Sequence, residues 1–339
     1  MPPAVGVVSY GLYIPRTVET AAEVGRHFHL PVEVVRAKQG FDRKHVSAPN
    51  VMPSDMARRA GRIALERARA NGVDRADIGL VIWSGSQWKD YHVWLASTFL
   101  QDRLGIPDCF AFDVSAMCAG CVFGLYAAKN FLRADPNLRA ILLIGASKES
   151  YMVSPIAPMS QWMDNFADAG WAVVVARDRT KNAILGSDFL SDGSLSMAPV
   201  EAGGGARHPV YPAYAKAGQV YAETLLPEAK FRKRMAAVSL PNFVRVIKKS
   251  MERSGLTGPE IRLFLLNHMK RSFHNAIVEQ VGVPRERAFY LDQYGHSQSA
   301  DQIMALDLAL HSGRFTSGPV VMAAAGSGYV WGSTVVEWG

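Results

Sequence analysis

Cys118 is the side chain best placed for nucleophilic work among the three cysteines of this 339-residue chain. It follows the apolar run Phe110-Ala111-Phe112-Asp113-Val114 and precedes a helical pattern reaching Ala134, so a strand is predicted to run into a helix that begins at the cysteine. A helix N-terminus carries roughly half a positive charge and unpaired N–H groups, which activate a thiol and hold an anionic intermediate. Ala119 and Gly120 leave a substrate carbonyl room beside the backbone. Two other readings stay open: Cys118 as a buried small hydrophobe, and Cys118 with Cys121 as a redox C-x-x-C pair. Zinc is weaker still, because no second Cys/His pair has ligand spacing, and no metal is expected.

A thiol nucleophile needs a group that handles protons, and the nine histidines narrow to two. His268 ends the run Leu263-Phe264-Leu265-Leu266-Asn267, and His296 follows a strand predicted over Phe289–Leu291, both at the sheet edge where α/β folds build sites. Taken singly, each is more often a hydrogen-bonded structural residue. His274 falls inside a helix, and His27, His29, His45 and His92 fall in loops or amphipathic stretches, so these read as surface or packing residues.

The elements that position these residues alternate. Strands are predicted at Val5–Tyr10, Leu80–Ser84, Phe110–Val114, Ala140–Gly145 and Ala172–Ala176, with helices at Met56–Asn71, Trp94–Leu104 and Cys118–Ala134. A second pass begins after the polar run Arg177–Asn182, with helices at Phe243–Ser254, Ser272–Val281 and Ser299–Ser312 and strands at Leu263–Leu266, Phe289–Leu291, Val320–Ala325 and Thr334–Glu337. The chain therefore reads as two α/β halves, 1–177 carrying the nucleophile and 178–339 carrying the histidines. Ser191 to Tyr214, containing Gly203-Gly204-Gly205, reads as an excursion, a loop or lid.

Composition limits the function classes. Hydrophobic residues at 49% and charged residues at 20% are near the globular average, which excludes disordered and collagen-like chains. No apolar run approaches the ~18–20 residues a membrane span needs. The start lacks the basic stretch and apolar block of a secretory signal, and three cysteines form no disulfide framework, so a cytoplasmic location is expected. A net charge of +7 suits a phosphate-bearing cofactor or an acidic carrier protein. Nucleic acid is not expected, since no zinc-finger, helix-turn-helix or aromatic-basic sheet motif is present.

Four segments, in order, resemble the thiolase-fold condensing enzymes, most closely the β-ketoacyl-acyl-carrier-protein synthase III group, over nearly the whole chain. Asp113-Val114-Ser115-Ala116-Met117-Cys118-Ala119-Gly120 resembles the nucleophile segment, and Phe166-Ala167-Asp168-Ala169-Gly170-Trp171-Ala172 the F-G-D-G-A-G-A turn. Asn267-His268 resembles the catalytic histidine segment, and Gly326-Ser327-Gly328-Tyr329-Val330-Trp331-Gly332-Ser333 the carboxy-terminal G-G-G-F-T-W-G-S. The resemblance implies duplicated α/β halves in a five-layered αβαβα thiolase fold, usually a homodimer.

It also implies roles. Cys118 would take an acyl group from an acyl-CoA or acyl-carrier-protein thioester, with the N–H groups of Cys118 and Ser327 as the oxyanion hole and no further cofactor. His268 would stabilise the enolate formed when a malonyl-type extender loses carbon dioxide. Tyr294-Gly295-His296-Ser297-Gln298 departs from the family's H-G-N-T-S, putting His296 where Asn is usual. A neutral imidazole N–H can donate to an enolate as an amide does, which keeps decarboxylative condensation. An imidazole titrating near neutrality could instead act as a base toward an alcohol or amine, which is the alternative of acyl transfer without condensation.

Further departures bear on substrate. The opening Val5–Arg16 is similar to the hydroxymethylglutaryl-CoA synthase branch, but Gly85-Ser86-Gln87-Trp88 has glutamine where that branch needs a catalytic glutamate, which excludes that activity. Val34 and Lys38 stand where many members hold the adenine of CoA with Trp and Arg. Ala325 replaces a usual phenylalanine beside Cys118, and Trp88, Tyr91, Val93 and Trp94 fall in the segment that lines the family's acyl tunnel at the dimer interface. Trp88, Val93, Ala325 and Lys38 are thus the expected substrate-binding residues, within fatty-acid, polyketide or secondary metabolism.

Overall fold

The alternating apolar runs assemble one ten-stranded sheet in two repeats. The structure is a computed structural model and describes residues 2–153, 163–201, 205–207, 222–223 and 225–339. In chain order the strands are β1 (Val5–Tyr13), β2 (Val18–Thr20), β3 (Arg43–His45), β4 (Ile78–Trp83), β5 (Phe110–Asp113), β6 (Ala140–Ser147) and β7 (Ala169–Arg177). They continue as β8 (Ala183–Ser191), β9 (Val200–Glu201), β10 (Ala222–Glu223), β11 (Leu263–Leu266), β12 (Ala288–Phe289), β13 (Gly318–Gly326) and β14 (Val330–Trp338). The helices are α1 (Ala21–Phe28), α2 (Val32–Gln39), α3 (Pro53–Ala70), α4 (Ala96–Arg103), α5 (Gly120–Ala134), α6 (Glu228–Glu252), α7 (Arg271–Val281) and α8 (Asp301–His311).

The sheet order is β12-β11-β13-β14-β8-β1-β7-β6-β4-β5, which is one arrangement used twice. In the first half β4 is parallel to β5 and β6, while β7 runs antiparallel to β6 and β1. In the second half β11 is parallel to β12 and β13, while β14 runs antiparallel to β13 and β8. The halves join where Gly6 of β1 pairs with Ala183 of β8.

Three apolar cores separate five layers. α3 and α4 cover the outside of the first half through Met56, Ala60, Trp83 and Leu100. α6 and α7 cover the outside of the second through Phe243, Ile247, Phe264 and Ile277. Between them α5 and α8 share a core with strands of both halves, including Val122, Leu125, Trp171, Met304 and Val336. This is the αβαβα thiolase architecture, and it buries two helix starts at the centre of the molecule.

Local chemistry explains where sequence and structure differ. α6 begins at Glu228 rather than Phe243, because Pro241 is carried inside the helix instead of ending it. β8 has no clean apolar run, with Gly186 and Asp188 inside it, and it forms through pairing with β14. β12 is only Ala288–Phe289, with Leu291 buried beyond it. Of the predicted excursion from Ser191 to Tyr214, residues 202–204 and 208–214 lie outside the described residues.

Candidate active site

The nucleophile elbow is built by β5 and α5. The Asp113 carboxylate at the end of β5 accepts from the N–H groups of Ala96 and Ser97 at 3.1 and 3.0 Å and from Lys89 Nζ at 2.6 Å, pinning the strand end to α4. Met117 then takes a left-handed φ of 49°, and Met117–Ala119 form a 3-10 turn before α5 starts at Gly120. Cys118 therefore sits in the turn ahead of the helix rather than at its first residue. Gly120 is required there, since a Cβ would lie 2.1 Å from the Ser84 carbonyl oxygen. Cys118 is buried and faces a cavity of about 330 Å³ that also presents His268, His296, Asn165 and Asn267. Cys121 points elsewhere: it is fully buried in the central core, and burial raises its thiol far above the usual range, which argues against a redox pair.

His296 stands beside the sulfur, its Nε2 3.2 Å from Cys118 Sγ and its Nδ1 2.6 Å from Asp301 Oδ2. The three side chains form a Cys–His–Asp line of the kind that activates a nucleophile. The short β12 does not deliver this histidine. Its backbone bridges the Phe166 segment instead, with His296 N–H donating to Asn165 O at 2.7 Å and Ala167 N–H donating to His296 O at 2.8 Å. Gly295 permits the approach: at φ 75° its missing Cβ would lie 2.7 Å from Lys44 Cβ and 2.8 Å from Asn165 O. The segment Phe166-Ala167-Asp168 is held in turn by buried Asp168, which accepts from Ser47 N–H at 2.7 Å and Ser150 N–H at 3.2 Å.

Electrostatics set the charge of each imidazole. Burial opposes a charged His296, but the Asp301 carboxylate, the adjacent Cys118 sulfur and hydrogen bonds to both outweigh it and push His296 up to about 10. This corrects the expectation of a neutral, near-neutral-titrating ring: with Nδ1–H held by Asp301, only the imidazolium has an Nε2–H to donate. His268 goes the other way, driven chiefly by burial down to about 4, and is neutral. Its Nε2–H donates to the Gln39 carbonyl at 3.1 Å, leaving Nδ1 an acceptor with no partner among the described residues.

Asp301, absent from the sequence reading, organises both histidines. Its Oδ2 accepts from His268 N–H at 2.6 Å as well as from His296, and its Oδ1 accepts from Ser297 N–H at 2.7 Å. Its only sequence signal is an acidic residue in the first turn of α8. His274 is a packing residue, buried with its ring edge-on to Tyr290.

The expected substrate residues separate. Lys38, Ala325 and Ser327 line the Cys118 cavity, with Lys38 exposed on α2. Trp88 lines a second cavity of about 170 Å³ that shares Phe166 and Ser327 with the first. Val93 lines neither of these two cavities and is fully exposed at φ 50°, beside exposed Tyr91 and Leu95. Gln87 borders the second cavity together with Glu149, a carboxyl group the order of residues 85–88 does not reveal. Burial raises Glu149 to about 7 against hydrogen bonds from Ser147 and Ser86. Among the described residues no three His, Cys, Asp or Glu side chains gather to hold a metal, and no helix is long and apolar enough to cross a membrane.

Comparison with known proteins gives this geometry a family. Residues 112–193 match the 3-oxoacyl-[acyl-carrier-protein (ACP)] synthase III family, and residues 251–338 match the 3-oxoacyl-[acyl-carrier-protein (ACP)] synthase III C-terminal family. A β-ketoacyl-[acyl-carrier-protein] synthase III of Microcystis aeruginosa is 28% identical over 344 residues, covering 99% of this chain and 98% of the relative. One from Symbiobacterium thermophilum is 29% identical over 343 residues, with coverage of 99% and 98%. The fold matches the priming β-ketosynthase of the R1128 polyketide pathway with a TM-score of 0.86 at 22% identity, covering 99% and 97% of the two chains. It matches the synthase III of Pseudomonas aeruginosa PAO1 with a TM-score of 0.84 at 22% identity, covering 99% and 98%. With the nucleophile segment inside one matched region and both histidines inside the other, the chain belongs to the 3-oxoacyl-[acyl-carrier-protein] synthase III family of condensing enzymes.

Proposed function

We propose that Cys118 carries an acyl group as a thioester and that a malonyl-type thioester condenses onto it with loss of carbon dioxide. The observation that carries this reading is the contact of Cys118 Sγ with His296 Nε2 at 3.2 Å, backed by Asp301 at 2.6 Å, in the cavity that also holds His268. The thiolate attacks the donor carbonyl, the Sγ–C bond forms as the donor C–S bond breaks, and the leaving thiolate takes the Nε2 proton of His296. The N–H groups of Cys118 and Ser327 hold the developing oxyanion. Asp301 favours reprotonation of His296 from solvent, so an imidazolium meets the extender. Loss of carbon dioxide leaves an enolate whose oxygen takes Nε2–H bonds from His296 and from His268, the latter now shared with Gln39 O. The enolate carbon attacks the acyl carbonyl and Cys118 leaves as a thiolate paired with His296. Overall one proton is consumed for each carbon dioxide released.

The donor is an acyl-CoA or acyl-carrier-protein thioester, and the reaction needs no other cofactor. Lys38 at the cavity mouth and the net charge of +7 support an acidic carrier or a phosphate-bearing donor. A homodimer is the working assembly: β5 is an edge strand carrying exposed Phe110, and exposed Tyr91, Val93 and Leu95 add apolar surface that a second copy would cover. The Cys–His–Asp line also suits transfer to an alcohol or amine, and one experiment separates the two. Acyl-loaded enzyme is given carboxyl-labelled malonyl-carrier protein, or an alcohol or amine. Labelled carbon dioxide with a 3-oxoacyl product supports condensation; ester or amide formation without carbon dioxide contradicts it.

A further inference from the structure

The second cavity contains a polar feature that a plain hydrocarbon chain leaves unused. Gln298, at φ 53° in the turn before α8, borders this cavity, and its Nε2 donates to the Glu149 carboxylate. Ser86 and Ser147 donate to the same carboxylate, so Glu149 fixes the amide with nitrogen inward and Oε1 as its free end. That Oε1 is buried without a hydrogen-bond partner among the described residues, on a side chain only 6% exposed. A buried acceptor left unpaired is unfavourable, and a ligand that donates to it recovers the penalty.

The cavity adjoins the nucleophile. It shares Phe166 and Ser327 with the cavity of Cys118, and Met117, the residue before the cysteine, forms part of its wall. At about 170 Å³, with Met117, Met152, Met163 and Trp88 among its lining, it suits a short acyl group with mostly apolar contacts. Once the donor thiol has left, the thioester carbonyl on Cys118 offers only acceptors, so within the acyl-enzyme a donor for Gln298 must come from the acyl chain. The donor need not be charged, because Glu149 already has three hydrogen-bond donors and burial works against its anion. We propose that the acyl group loaded on Cys118 is short and carries a hydroxyl that donates to Gln298 Oε1, with Glu149 as the positioning residue.

This rests on the acyl-thioester reading above, and the test separates the two. Four-carbon acyl groups hydroxylated at C2, C3 or C4 compete with butyryl, as CoA and as carrier-protein thioesters, and the Cys118 adducts are read by intact mass. The expected result is that at least one hydroxylated group loads about tenfold to a hundredfold faster than butyryl. In Gln298→Leu that ratio falls to near one, whereas a purely structural role for Gln298 would change both groups alike and leave the ratio intact. Butyryl loading on the wild type as fast as every hydroxylated group overturns the proposal while leaving the thioester chemistry standing. No adduct from any donor, with iodoacetamide still alkylating Cys118, contradicts the thioester reading and this specificity with it.

Discussion

Met117-Cys118-Ala119 and Gln298-Ser299-Ala300 are the same device in the two halves, a 3-10 turn whose first residue is left-handed, at φ 49° and 53°, feeding a helix of the central layer. Their chemistry differs. Cys118 faces a cavity and meets His296, whereas Ser299 in the equivalent place is fully buried and its Oγ accepts from Trp171 Nε1 at 3.0 Å. The next pair differs as well: Gly120 is small because Ser84 O lies against it, while Asp301 uses its carboxylate to hold both histidines. A repeated backbone turn thus yields a nucleophile only where a cavity and a proton partner meet it. The second turn provides the partner's anchor and, through Gln298, part of the neighbouring wall.

Removing what is special to the first turn has the largest expected effect. Cys118→Ala abolishes the acyl adduct and lowers turnover by at least about four orders of magnitude, measured as carbon dioxide release. Asp301→Asn, which removes the second turn's contribution, lowers the acylation rate by about three to four orders of magnitude, as loss of the orienting carboxylate does in other triads. It also removes the main opposite charge holding His296 near 10, so the residual acylation rate gains a pH dependence closer to neutrality.

Stability should follow the same pair. His296 is raised in the folded chain from 6.5 to about 10, so its contribution is full below about pH 6.5 and is lost as pH rises through about 10. Urea unfolding across that window should show a decline that is smaller in His296→Gln. His268, lowered to about 4, contributes above about pH 6.5 and loses that contribution as pH falls through about 4.

Smaller effects sharpen the comparison. Gly295→Ala forces a Cβ against Lys44 and Asn165 at φ 75° and should destabilise by about 1–3 kcal/mol, with slower acylation because His296 shifts. Ser299→Ala removes the partner of buried Trp171 Nε1 and should cost about 1–3 kcal/mol in urea unfolding, with turnover within about twofold of wild type. Equal turnover losses in Ser299→Ala and Cys118→Ala would erase the distinction between the turns.

What was legible in the chain follows from how local each cause is. The Leu263–Leu266 strand ahead of Asn267-His268 and the apolar run ahead of the cysteine are contiguous signals and both form strands, although Cys118 sits in the turn before α5 rather than at its start. The five-layer fold is legible only through the resemblance of four segments, because periodicity alone does not say how two halves stack. The second half of the site was less legible. His296 is placed by a bridge to Phe166, 130 residues earlier, rather than by its own strand, and Asp301 acts only once α8 turns its first residue inward. Glu149 and Gln298 meet across the central layer, a contact no spacing rule contains. Val93 lies on the surface of its own chain, so a place at an acyl tunnel needs a second copy, which no spacing along one chain contains.

The most direct test of the central claim is peptide-mapped mass spectrometry of enzyme incubated with an acyl thioester, followed by a malonyl-carrier chase. One acyl mass per chain is expected on the peptide containing Cys118, released by the chase together with carbon dioxide and absent in Cys118→Ala. An acyl group mapped to another residue, or an adduct equally abundant in Cys118→Ala, would contradict it.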